Sequence, residues 1–129
     1  MLLTFVVGCG GNPTVSGRVT FPDGTPLDRG EVIFEGSTST ALGIIQSDGT
    51  YTMFSGELRG VPRGTYAVSI GGFRAEYIEH PGDRDNPPRT EFFPLVIPVH
   101  ERFLHPSTSG LTVDVTGRTT FNITVERPE

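Results

Sequence analysis

The side chains best suited to chemistry in this chain are its histidines, a few carboxylates and a set of arginines. His80, His100, Glu101 and His105 form its one plausible metal constellation, because imidazole and carboxylate are the usual ligands of zinc and non-haem iron. Their spacing argues against that use: His100 and His105 are five residues apart in a proline-bounded segment with no helix to align them. They are expected to be exposed polar loop residues, and no metal or other cofactor is expected. Asp83, Asp85 and Asn86 alternate like the oxygen donors of a calcium loop, but Arg84 between them and Pro87-Pro88 after them spoil the pattern, so a solvated turn is expected. Ser37, Ser39 and Ser69 have no His and Asp arranged to activate a nucleophile. Asn122-Ile123-Thr124 fits the glycosylation triplet, yet Asn122 falls within an expected strand. There remain Arg74, Tyr77, His80, Arg84, Arg89 and Arg102, which could form an arginine and aromatic surface for an anionic glycan or a protein partner, since guanidinium forks recognise carboxylate and sulfate. The competing reading is that these arginines only solubilise a loop covering a sheet edge.

The elements that would position these residues are strands. Val15, Gly17, Val19 and Phe21 alternate with Ser16, Arg18 and Thr20, the period of a half-buried strand, and Pro22-Asp23-Gly24 ends it. Val32 and Phe34 alternate with Glu31, Ile33 and Glu35 in a second strand, and Leu42, Ile44 and Gln46 mark a third. Asp48-Gly49 then predicts a hairpin into Tyr51 and Met53, because the turn needs a positive φ that glycine supplies. Tyr66, Val68 and Ile70 face one way after the turn Val61-Pro62-Arg63-Gly64. Leu111, Val113 and Val115, followed by Phe121, Ile123 and Val125, predict a C-terminal hairpin. No stretch has helical periodicity, so the fold class is all-β: about seven strands in an antiparallel two-layer sandwich over residues 14–127. Residues 72–110 lose the alternation and read as a long irregular insertion before that hairpin. Within it, Gly82 to Pro88 is the expected exposed tip, and Phe92, Phe93, Leu95, Val96, Ile97 and Val99 are expected to lie against a sheet edge, with Pro94 and Pro98 blocking further pairing.

The 129 residues suit one domain large enough to fold without a disulfide or metal, and the 17 glycines and 11 prolines suit many short strands joined by turns. Fifteen acidic against ten basic residues leaves no basic face for nucleic acid. All ten basic residues are arginine, and tryptophan, the usual sugar-stacking platform, is missing.

Cys9 is the only cysteine, and it closes the apolar run Leu2-Leu3-Thr4-Phe5-Val6-Val7-Gly8 just ahead of Gly10-Gly11-Asn12-Pro13. This order resembles the lipobox of bacterial lipoproteins, in which the leader is cut before a cysteine whose thiol carries diacylglycerol. The resemblance implies that residues 1–8 are the remnant of a signal peptide whose start lies upstream, that Cys9 is lipidated, and that residues 9–13 are a flexible tether. The alternative is a buried first strand with Cys9 as a small core residue. Three further stretches carry a second resemblance. Val15 to Phe21 with Asp23-Gly24-Thr25-Pro26-Leu27 and Gly30 to Phe34 is similar to the opening of carboxypeptidase-regulatory-like domains. Ser47 to Tyr51 followed by Val61 to Val68 is similar to that family's second signature, and Ile97-Pro98, Phe103 and Thr108 to Val113 resemble the closing part of small bacterial lipoproteins on this fold. The implied fold is transthyretin-like (prealbumin-like), and the implied location is membrane-anchored, facing the periplasm or the cell surface. Lysine-dependent isopeptide crosslinks of similar surface domains cannot form in a chain without lysine. Related folds include hydroxyisourate hydrolases and iron dioxygenases, but this chain ends Val125-Glu126-Arg127-Pro128-Glu129 in place of the hydrolase tail. Tyr51 and Tyr66 read as core residues, leaving only Tyr77 near His80. The expectation is a non-catalytic binding or structural module whose partners are the membrane and an envelope glycan or another surface protein. The alternatives are a carbohydrate-binding module, with Tyr77 as its exposed ring, a strand edge open to other surface proteins, and, more remotely, a metal-dependent enzyme.

Overall fold

A computed structural model of the chain describes residues 11–129; residues 1–8, expected to be a leader remnant, Cys9, the expected lipidation site, and Gly10 lie outside the described residues. The described chain is all-β. Its strands are β1 (Val15–Thr20), β2 (Glu31–Glu35), β3 (Thr40–Ile44), β4 (Thr50–Ser55), β5 (Leu58–Arg59), β6 (Gly64–Gly71), β7 (Tyr77–His80), β8 (Arg89–Phe92), β9 (Leu111–Val115), β10 (Thr119–Thr120) and β11 (Ile123–Thr124), with one 3-10 turn at Glu101–Leu104. Nine strands make a curled sheet in the order β10-β1-β4-β3-β2-β6-β9, with β11 also on β1 and β5 on β4; β7 and β8 form a separate two-stranded sheet.

The period-two pattern decides which side chains enter the curl. Val15 and Val19 from β1, Val32 and Phe34 from β2, Tyr51 and Met53 from β4, Tyr66, Val68 and Ile70 from β6, and Val113 and Val115 from β9 are all buried in one cluster. Phe34 is its centre, tilted against Tyr66 with ring centroids 5.8 Å apart and edge-on to Phe121 at 6.2 Å. The hairpin at Asp48-Gly49 is present. Gly49 has φ 86°, and the Asp48 carboxylate accepts hydrogen bonds from the Thr50 N–H at 3.0 Å and the Thr50 hydroxyl at 2.6 Å. Those two donors hold the Asp48 carboxyl below the ordinary carboxylate range.

The C-terminal hairpin is not formed, and the sheet is mixed rather than wholly antiparallel. β9 pairs with β6. The following segment crosses the sheet opening and joins β1 in parallel, Val15 opposite Thr119 and Val19 opposite Ile123. The reason is steric. At Gly17 a Cβ atom would lie 1.9 Å from the Phe121 carbonyl oxygen, so only glycine lets the last segment approach β1 this closely. The buried Tyr51 hydroxyl donates to that same carbonyl, and Asn122 Oδ1 accepts from the Arg18 N–H at 3.1 Å. Burial raises the Tyr51 phenol above its ordinary range, keeping it a donor.

The insertion is less irregular than its composition indicates. Its first half is the β7–β8 hairpin, in which Asp83 Oδ1 accepts from the N–H groups of both Asp85 and Asn86 at 2.8 Å, so the acidic tip folds on itself. Phe92, Phe93, Leu95 and Val96 are exposed, contrary to the expectation that they pack on a sheet edge; only Val99 and Phe103 are buried in the core, with Ile97 partly so. Near the start of the described residues, the Val61 N–H donates to the Pro13 carbonyl at 3.0 Å, so Pro13, the last residue of the expected tether, is joined to the body.

Truncating Phe34 to alanine is expected to cost about 3–5 kcal/mol, read from urea unfolding. Gly17→Ala is expected to destabilise by at least as much through backbone displacement at Phe121, although it adds only one methyl group; a neutral Gly17→Ala would contradict the closure described above.

Candidate functional site

On the outer face of the sheet, where β2 to β5 curve, lies a groove of about 820 Å³. It arises because β3 turns its larger side chains outward. Ala41 and Gly43 face the core, while Leu42 and Ile44 are exposed, at 45% and 65%. The strand assignment from the sequence is right; the surprise is which face is inside. The space opposite Gly43 is filled: a Cβ there would lie 2.7 Å from Met53 Sδ and 3.2 Å from the Tyr51 ring. The inner face of β3 therefore accepts only small residues, and the alternation sends Leu42 and Ile44 to solvent.

The groove floor has a regular transverse row. In register across three strands stand Leu42 on β3, Phe54 on β4 and Arg59 on β5, and the same row continues beyond the lining to Ile33 on β2. A parallel row sets Glu31 beside Ile44. Arg59 places its guanidinium 6.0 Å from the Phe54 ring centroid, a cation–π distance. Thr40, Gln46, Thr50 and Thr52 add hydroxyl and amide groups along the walls, with Glu31 and Arg59 as the only charges. The lining contains no histidine, cysteine or serine. Chemically this is a surface that can hold a flat or extended amphipathic group by apolar contact, with a cation at one rim and a carboxylate at the other. Contiguous exposed apolar area of this kind marks a contact surface. The signal in the sequence was the pairing of Gly43 and Ala41 with bulky neighbours, which is legible only once Tyr51 and Met53 are known to fill the facing space.

The residues singled out from the sequence lie elsewhere, mostly on the β7–β8 hairpin. Tyr77 is 57% exposed and packs on Phe92 with ring centroids 5.9 Å apart. His80 Nε2 lies 3.1 Å from Glu91 Oε1, and Arg89 stands opposite His80 in register. Arg84 is at the exposed tip and Arg74 is exposed just before β7. Arg102 is not among them. It sits in the 3-10 turn, donating to the Ser109 carbonyl at 3.1 Å and to Glu126 at 3.2 Å, with its guanidinium 4.3 Å from the Phe103 ring centroid. His100 also belongs to that turn: its Nδ1 accepts from the Arg102 N–H at 3.1 Å. His80 is thus engaged on the hairpin while His100 caps a turn of the main body, and among the described residues no three metal-binding side chains converge. The alternation of the ribbon sets Tyr77 and Phe92 on one face and His80, Arg89 and Glu91 on the other, so the hairpin does not gather Tyr77 and His80 into one surface.

Because Leu42 and Ile44 lie outside the core, Leu42→Thr and Ile44→Thr are expected to change stability by less than about 0.5 kcal/mol in thermal or urea unfolding. A loss of several kcal/mol in either variant would mean that this face is covered by the protein itself.

No family model, no curated protein and no solved structure matches the chain.

Proposed function

We propose that the chain is a non-catalytic lipoprotein of the cell envelope, anchored through Cys9, that serves as a binding or structural module. On this reading its curled sheet is a prealbumin-like sandwich of the carboxypeptidase-regulatory-like type, with the chain closing differently at its C-terminus. The observation that carries the reading is the row Leu42, Phe54 and Arg59 along the groove, an apolar track ending in a cation. The groove walls offer hydroxyls and an amide for recognition and no nucleophile–base pair for turnover. The attachment at Pro13 supports a defined orientation. Pro13 is four positions after Cys9, at most about 14 Å of extended chain. Pro13 is bonded to Val61, two residues beyond Arg59, so an acyl chain on Cys9 would hold the Arg59 end of the groove near the lipid headgroups. The ligand is then an amphipathic molecule presented at the membrane surface.

An envelope carbohydrate is the second reading, favoured by the partly exposed Phe54 ring beside Gln46, Thr40 and Thr52, and by the exposed Tyr77 ring on the hairpin.

Metabolic labelling with a fatty-acid analogue is expected to mark the wild-type protein in the membrane fraction and to fail for Cys9→Ser; an unlabelled wild type would remove the anchor. For the groove, the dye anilinonaphthalene sulfonate is expected to gain fluorescence on the full chain, with affinity lowered about tenfold by Phe54→Ala and unchanged by Tyr77→Ala. Equal binding by all three proteins would exclude the groove as the site. Displacement of the dye by soluble cell-wall oligosaccharides would favour the carbohydrate reading, and no displacement the amphiphile.

A further inference from the structure

The β7–β8 ribbon pairs with no strand of the main sheet, and two strands alone are marginal in water without a third strand or a packed face. Its side chains do not supply such a face, for Tyr77, Ile78, Phe92 and Phe93 are exposed, Phe92 at 71%. The backbone shows which groups are free. The Phe93 N–H donates to the Glu76 carbonyl at 2.9 Å, and Tyr77 stands opposite Phe92. The alternation of an antiparallel ladder then turns the N–H and C=O groups of Arg89 and Glu91 toward β7 and those of Thr90 and Phe92 away from it. Among the described residues, nothing forms a backbone hydrogen bond to that outer edge of β8.

We propose that the edge is completed by a second copy of the chain, β8 against β8 in antiparallel register about a two-fold axis at Thr90. In this register the two Thr90 residues exchange two hydrogen bonds, and each Phe92 N–H donates to the Pro88 carbonyl of the other copy. Pro88 has no N–H to leave unpaired in the joint. Arg89 stands directly opposite Glu91 of the second copy, and Glu91 opposite its Arg89, in the narrow non-hydrogen-bonded pairs where opposed charges come closest. His80 already holds Glu91 Oε1 at 3.1 Å on that face, fixing the carboxylate beside the incoming guanidinium. On the opposite face Phe92 meets Pro88 across the joint. The neighbouring registers lack this complementarity: an axis at Glu91 sets two carboxylates against each other, and an axis at Arg89 sets two guanidiniums. The edge thus reads as isologous, matching itself and not a generic strand.

Sedimentation velocity of the full chain under reducing conditions tests this. The wild type is expected to show a monomer–dimer equilibrium that weakens with salt. Arg89→Glu and Glu91→Arg, which each place like charges across the joint, are expected to raise the dissociation constant at least tenfold. An equimolar mixture of the two variants sets an acidic edge against a basic one and is expected to recover the dimer. A wild type that stays monomeric at every concentration reached would overturn the proposal. So would a dimer that both variants keep, which would place the contact on the β2–β5 groove or elsewhere, or a mixture that fails to recover it.

Discussion

The closure of the sheet depends on one place where two backbones come within contact distance, Gly17 on β1 and Phe121 on the last segment. No side chain fits between them. With glycine there, the Tyr51 hydroxyl reaches the Phe121 carbonyl, Asn122 bonds to the Arg18 N–H, and Ile123 and Val125 are delivered into the core. The same contact explains why β1 is shared between an antiparallel neighbour, β4, and two short parallel ones. Parallel pairing normally requires a long crossover; here the crossover is nearly the whole protein.

The interior that this closure seals is close to fully satisfied. Among the described residues no buried side-chain nitrogen or oxygen lacks a hydrogen-bond partner. Buried Ser109 donates to the Val68 carbonyl, and Tyr66 donates to Pro62 at 2.6 Å. Among the described residues, apolar area and open backbone left on the outside include the Leu42, Ile44 and Phe54 face of the groove and the unpaired edge of the β7–β8 ribbon. Exposed apolar area and open strand edges of this kind are the features on which the proposed binding role rests.

Much of this was legible in the sequence because alternation and turn chemistry are local. Val15 and Val19, Val32 and Phe34, Tyr66, Val68 and Ile70 are buried as the period-two reading expects, and Asp48-Gly49 makes the expected turn. The rest depended on partners distant in the chain. Leu42 and Ile44 outrank Ala41 and Gly43 in hydrophobicity, but the volume of Tyr51 and Met53 decides the inner face of β3. Phe121 and Ile123 alternate well enough for a hairpin with Val113, yet the open slot beside Gly17 takes them. The apolar run from Phe92 to Val96 is too greasy by composition for solvent, yet Phe93, Leu95 and Val96 stay exposed; Arg89 to Phe92 pairs with β7, and that ladder ends before Pro94. The candidate groove was invisible for the same reason as the orientation of β3.

The joining of β1 to residues near the C-terminus also governs how the chain acquires its shape. The bond from Arg18 to Asn122 spans 104 positions, as does that from Arg127 to Asp23. Contacts of such separation enter the folding reaction late and slow it, because the loop they close must be ordered before they return any stabilisation. A chain without residues 118–129 has an unzipped flank along Val15 to Thr20, and so cannot lock. Until those residues are in place the sheet keeps a loose flank, and its closure is the last step to set.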